Sequence, residues 1–525
     1  MPLRGVKPRV EIYTHDRFEE LLSGLCEAFP RRAQGKTSLA YLSEHLGCLD
    51  AKTIVVEPKY IDRYYLEDFT AYYVKCFYPY ERECVRLHFF SHVFTQEWLI
   101  ELVRGGPNAD IDIEVLQGSY LGFIVVKPLP DSIIGRTCLK YYQEPNSCFP
   151  AVRDYKACLF GIPLNVRNTL GFQEQDKVAS ACATSALWSA FQATGCLWQH
   201  SLPSPIEITR AAASNCSVRS RPIPNADGLT LEQMAHAIQS VGLEPYYVYL
   251  DKTDVLLYAV YSYVTCKIPV ILIFEIRARQ GGKQDLSPVG FHAVVVIGYR
   301  FSAPKVAESP ELDSASIQFR SMQIDMLYVH DDQVGPYAEM PLVIEDATWY
   351  LKTSWGSGNA KYADVRAYPH ALLIPLYHKI RIPYSMIYEK IVEFDGWLLS
   401  LKEISPILSS GRPVWDIQLT EANTYKEDMR KTALASDRKQ DLLFDSFPRF
   451  LWRASAIVNG QPVMNILFDA TDIPSGQFVL EVYAYENELQ DFLDIAMRDE
   501  VFRRTPMGQG LGVIYSRLRH GDGAV

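Results

Sequence analysis

The stretch "GFHAVVVIGYR", residues 290–300, decides how this chain is read. From Phe291 to Tyr299 it is apolar on both alternations, the pattern of a strand buried on both faces, and it predicts a strand over 291–299 with His292 at its start. Carrying an imidazole into a core costs free energy unless something hydrogen-bonds it. His292 therefore needs a partner.

Downstream, "IDMLYVHDDQVGPY" (residues 324–337) reads as a strand that ends in two carboxylates and is broken by Gly335 and Pro336. The connection between the two strands, "SAPKVAESPELDSASIQ", is polar and reads as exposed. Antiparallel pairing across it brings Asp331, at the end of the later strand, opposite His292. Period-two geometry puts Leu327, Val329 and Asp331 on one face and Tyr328, His330 and Asp332 on the other. Only one aspartate can face the imidazole. Asp331 is preferred and Asp332 is the alternative, its expected task being to cap backbone N–H groups in the turn.

Upstream lies "QDKVASACATSALWSAFQATG", residues 175–195. After Cys182, small or apolar residues recur at Ala183, Ala186, Leu187, Ala190, Phe191 and Thr194, the spacing of a helix with one buried face. Cys182 falls in the first turn, where unpaired N–H groups and the helix dipole favour an anion. Cys182, His292 and Asp331, in that chain order, meet the needs of a thiolate nucleophile: a base takes its proton and a carboxylate orients the base. An oxyanion must also be met by donors. The side-chain amide of Gln175, with Gln173 as the alternative, and the backbone N–H of Cys182 are the candidates.

Bulk properties narrow the field. Hydrophobic residues make up 48% and charged residues 22%, enough for a large packed core, and a length of 525 residues suggests more than one domain. The net charge of −10 comes without a Lys/Arg run, so nucleic acid is not an expected partner. All 11 cysteines (26, 48, 76, 84, 138, 148, 158, 182, 196, 216 and 266) lie in the first 266 residues without regular spacing or a C-x-x-C, so neither a disulfide framework nor a zinc ribbon is expected. No apolar leader or membrane-length run is visible, so the expected location is cytoplasmic, without a membrane anchor. The glycines of "GQGLG" near the end lack the strand and helix a phosphate loop needs.

The texture suggests an N-terminal accessory segment (1–165), a middle segment (166–370) and a C-terminal accessory segment (371–525). In the first, "HDRFEELLSGLCEAF" reads as helix, "YLGFIVVKPLP" as strand, and the aromatic stretch from Ile61 to Phe90 as helix and turn. In the second, "LTLEQMAHAIQSVG" reads as a helix capped by Thr230 and stopped by Gly242, followed by strands in "EPYYVYL" and "KIPVILIFEI". The tail reads as α+β, with helices at "YSMIYEKIVEFDGWLLSLKEI" and "NELQDFLDIAMRDEVFRR" and strands at "PVMNILFDAT" and "GQFVLEVYAY".

The middle segment resembles the papain-like cysteine peptidases. It looks closest to the branch related to bacteriocin-processing peptidases that cut after double-glycine leaders, through the upstream Gln, "CATSALW", "GLTLEQMAHAIQSVGLEP", "PVILIF", "GFHAVVVIGYR" and "YVHDDQVGPY". Ala183 stands where that branch usually has Gly. The resemblance implies a papain-like domain with a nucleophile helix packed on an antiparallel sheet; the whole chain is expected to be α+β, with additional N- and C-terminal α/β domains that the resemblance does not cover. It implies Cys182 as nucleophile, His292 as base and acid, Asp331 as orienter and Gln175 as oxyanion donor, with no cofactor or metal. The expected activity is a cytoplasmic cysteine peptidase hydrolysing a peptide or isopeptide bond in a protein or peptide substrate, its accessory domains binding a protein partner or regulating access. Thiol acyl transfer (transglutaminase-like), deamidation with the same triad, and an inactive binding or scaffold protein are the alternatives.

Overall fold

The computed structural model describes residues 8–25, 37–130, 132–176, 181–214, 228–280, 285–302, 317–345, 348–357, 361–400, 412–434, 436–472, 478–496 and 504. Cys26, Cys216, most of the 302–318 connection and "GQGLG" lie outside them. The fold is α+β, with predominantly antiparallel sheets. It divides into two units: residues 1–251, 267–300 and 325–375, and residues 252–266, 301–324 and 376–525. Among the described residues, no helix is long and apolar enough to cross a membrane.

The first unit begins with a meander of β1 (Arg9–Ile12), β2 (Thr53–Tyr60), β3 (Cys84–Phe90), β4 (Tyr120–Val126) and β5 (Ile134–Leu139), paired in that order. Alternation along the strands splits its core. Ile54, Leu87, Phe89 and Ile124 pack with Phe18 and Leu22 of α1 (His15–Leu25) and with Leu42 and Leu46 of α2 (Thr37–Cys48). Val55, Phe90, Phe123 and Val125 pack instead with Tyr65 of α3 (Arg63–Ala71), Leu99 of α4 (Gln96–Val103) and Leu116 of α5 (Ala109–Ser119). Helices on both faces explain why β4 is buried at every position, as "YLGFIVV" demands. The aromatic stretch 61–90 departs from its expected helix and turn: after α3, which Asp62 caps by accepting from Tyr64 N, it ends as strand β3.

A two-residue strand, β6 (Ser147–Cys148), and a hairpin, β7 (Arg153–Leu159) and β8 (Ile162–Thr169), follow. The hairpin turns at Phe160 and Gly161, both at positive φ, the geometry whose twist matches that of the strands. Next come α6 (Cys182–Trp198), α7 (Pro205–Ala213) and α8 (Leu231–Ser240). Thr230 caps α8 in a reciprocal capping box with Gln233, and Gly242 follows the helix at a φ of +82°.

The strands that position the site are β9 (Leu243–Tyr249), β10 (Val270–Gln280), β11 (Leu286–Phe301), β13 (Ile324–Asp331), β14 (Gly335–Glu345), β15 (Thr348–Lys352) and β16 (Tyr362–Tyr377), with β12 (Gln318–Phe319) belonging to the second unit. They run β10-β11-β13-β14-β15-β16-β9, and a further antiparallel pairing of β10 with β16, Ile271 opposite Leu373, closes all but β9 into a barrel. β6 adds to β11. Helix α6 packs against β10. It is buried from Ala183 to Thr194 without interruption, so it is a central helix rather than one with a single buried face.

In the second unit a sheet β12-β17-β18-β19-β20 uses β17 (Val414–Glu421), β18 (Phe450–Val458), β19 (Gln461–Asp469) and β20 (Val479–Ala484). Around it lie α9 (Thr253–Val264), α10 (Tyr384–Ser400), α11 (Ala422–Lys431), α12 (Ser436–Phe444) and α13 (Asn487–Ala496). Its buried indoles are satisfied: Trp452 Nε1 donates to Ile382 O and Trp415 Nε1 to Asp395 Oδ1.

Candidate active site

Cys182 is the first residue of α6, and no side chain caps that helix end. Its thiol is partly exposed. The nine described cysteines form no disulfide. Cys84 and Cys138 are core residues, and burial pushes the Cys138 thiol up to about 12. Cys182 differs from them in its setting: it lies near enough to His292 to help raise the affinity of that imidazole for a proton.

His292 lies inside β11, not at its start, because the strand begins at Leu286. Gly290 and Phe291 are exposed, and burial on both faces runs from His292 to Tyr299. The ring stands edge-on to Phe274, its register partner on β10. Nε2 lies 3.0 Å from Asp331 Oδ1 and 3.6 Å from Asp332 Oδ1. Burial alone disfavours imidazolium, but the charge and hydrogen bond of Asp331, with a contribution from Cys182, push His292 well above its ordinary range.

Asp331 ends β13 just past a register shift after Val329, and it does more than face the histidine. Its Oδ1 also accepts from Gln333 N at 3.0 Å, and its carbonyl accepts from Val334 N at 3.1 Å. The expected division of labour is therefore corrected, because Asp331 itself caps the turn. Asp332 is 3% exposed, and neither carboxylate oxygen has a hydrogen-bond partner. Burial pushes its carboxyl up to about 7; His292 opposes the rise while Asp331 and Glu174 add to it. The turn closes on Gly335, where a Cβ would come 2.2 Å from Tyr41 Cδ1.

The segment before the nucleophile runs beside these groups. Phe172 bridges Thr137 and meets the His330 ring edge-on at 5.7 Å. Glu174 accepts from Ile134 N and Ser38 Oγ. Gln175 is half-buried, its backbone carbonyl accepting from Ser132 Oγ at 2.6 Å. Gln173 is 6% exposed, and its Nε2 is a buried donor without an acceptor. Thus His292 and Asp331 are hydrogen-bonded, Cys182 lies within electrostatic reach of the imidazole and Asp332 sits at the edge, whereas no described contact joins Gln173 or Gln175 to them.

No family model and no curated protein matches this chain.

Proposed function

We propose that the chain is a papain-like cysteine hydrolase that cleaves a peptide or isopeptide bond in a protein substrate. The observation that carries this reading is the series Cys182, His292, Asp331 at the uncapped start of a buried helix. In the proposed reaction Cys182 Sγ attacks the carbonyl carbon of the scissile bond. His292 Nδ1, the ring nitrogen left over by the Asp331 bond, takes the thiol proton and returns it to the leaving amine. Water then opens the acyl-enzyme with His292 again as base. Asp331, tied to the turn through Gln333 N, holds the ring's orientation.

Of the two glutamines we assign the oxyanion role to Gln173. A buried N–H donor left without an acceptor costs roughly 1–3 kcal/mol. A site meant to receive a transient oxyanion leaves such a donor open in the resting state. The closed barrel with the nucleophile helix packed on β10 also fits the papain-like reading.

Brief exposure to iodoacetamide with peptide mapping tests the proposal. Half-buried Cys182 should alkylate before the exposed Cys48, Cys158 and Cys196. That preference should fall about 100-fold in His292→Ala, as loss of a paired base implies. Equal reactivity among the four thiols would overturn it. Incubation with a peptide library then separates hydrolysis, which shortens chains, from amine transfer or deamidation, which do not.

A further inference from the structure

The buried side of His292 carries more than a triad needs. Two adjacent carboxylates converge on Nε2, Asp331 Oδ1 at 3.0 Å and Asp332 Oδ1 at 3.6 Å, and ligand atoms of all three residues lie within 4.8 Å of one another. Asp331 is satisfied by the ring and the turn. Asp332 has only the long 3.6 Å ion pair to Nε2: both of its oxygens are buried without a hydrogen-bond partner, and its side chain points into the cluster. An anionic carboxylate in that position is costly unless paired or metal-bound.

We propose that His292 Nε2, Asp331 and Asp332 form a divalent-cation site of the zinc class that switches the active site off. Zinc bonds of about 2.0–2.2 Å at tetrahedral angles set donor atoms about 3.3–3.6 Å apart, close to the spacing found here. One imidazole and two carboxylates make a donor set for Zn²⁺; Ca²⁺ requires six or more oxygens, and Mg²⁺ an oxygen octahedron. The cation takes the Nε2 lone pair and displaces the Nε2 proton to solvent. The remaining ring proton then sits on Nδ1, the nitrogen that the Asp331 bond leaves for Cys182 in the proposed reaction. The metal-bound ring has no lone pair left to accept the thiol proton, and giving up its last proton to a leaving amine would require a bound imidazolate. The inhibition rests on the hydrolase reading; the uptake of metal does not.

The test uses the full-length chain, stripped with chelator and titrated with Zn²⁺ by calorimetry and with Co²⁺ by absorption. One Zn²⁺ should bind. Asp332→Asn should weaken it about 10- to 100-fold, the range expected for loss of a ligand or its support. Cys182→Ala should bind as the unaltered chain does, with no thiolate-to-metal band in the Co²⁺ spectrum. Asp332→Ser, with circular dichroism on both variants, separates loss of the site from loss of the fold. Absence of binding, binding indifferent to both Asp332 variants when folded, or a thiolate band abolished by Cys182→Ala would each overturn the site. Zn²⁺ should also slow alkylation of Cys182 by iodoacetamide, and an unchanged rate in the metal-loaded chain overturns the switch. Slow alkylation of the metal-free chain counts instead against the hydrolase reading and leaves calorimetry to decide the site.

Discussion

Asp331 Oδ1 serves two donors at once, His292 Nε2 at 3.0 Å and the backbone N–H of Gln333 at 3.0 Å. The carboxylate that orients the imidazole is thereby part of the turn that ends β13, and ring and turn cannot shift independently. Asp331→Ala removes both bonds. It should lower the Cys182 alkylation rate about 100-fold, the scale of a disoriented base. It should also cost about 1–3 kcal/mol in urea unfolding, because a buried imidazole and a backbone donor lose their acceptor. A variant with unchanged alkylation would remove Asp331 from the proposed mechanism.

Asp332 should behave oppositely in stability. It is buried without a hydrogen-bond partner. Asp332→Asn keeps the volume and removes the charge, so at pH 8 in metal-free buffer the unfolding free energy in urea should be unchanged or raised, by up to about 2 kcal/mol. A loss of stability comparable to that of Asp331→Ala would show that the two carboxylates share the structural task.

The two glutamines give a sharp contrast. Gln173→Ala should lower kcat/KM on a cleaved peptide about 100-fold with little change in KM, as for loss of an oxyanion donor, while leaving stability intact because no hydrogen bond of its amide nitrogen is broken. Gln175→Ala should retain activity within about threefold. The reverse order of effects would return the oxyanion role to Gln175.

Much of the candidate site is legible in the sequence because its signals are local. The small-residue run after Cys182, the apolar run through His292 and the doubled aspartate each announce an element within a dozen residues. Asp331 is legible as the orienter, but its capping of the turn is not. A register shift between Val329 and Asp331 breaks the strict alternation on which the division of labour between the aspartates depends. Barrel closure is also hidden, because Ile271 meets Leu373 across a hundred residues and no local pattern encodes that pairing. Helix α9 escaped for another reason: "TDVLLYAVYSYV" is rich in β-branched and aromatic residues and buried from Leu256 to Val264, so it lacks an amphipathic period.

Gly335 links the turn to the first unit's N-terminal helices. Its φ is +156°, and Tyr41, whose hydroxyl donates to Pro336 O at 2.9 Å, fills the space where a side chain would stand. Gly335→Ala should cost about 2–4 kcal/mol through the clash and slow Cys182 alkylation as Asp331 is displaced. Truncating the opposing ring in a Gly335→Ala, Tyr41→Ala double variant should recover part of the lost reactivity. Strict additivity of the two substitutions would show that the contact does not position the turn.

Acid should loosen the first unit at pH values above the ordinary carboxylate range. Burial lowers His45 and His88 to about 4, so both are neutral in the fold at pH 5, whereas the unfolded chain takes up their protons below its ordinary histidine value of 6.5. The unfolded state then binds more protons, and the stability these residues contribute is present above about pH 6.5 and lost as pH falls toward 4. His292 has the opposite sign: its raised value gives a contribution fully present below 6.5 and lost only as pH rises through its folded value. His45, His88 and His330, which burial lowers to about 3, less the opposing contribution of Asp332, should together lower the unfolding free energy by about 3–4 kcal/mol between pH 7 and pH 5. Urea midpoints at half-unit steps measure this directly. A profile unaltered in His88→Gln would mean that this imidazole titrates alike in the folded and unfolded chain.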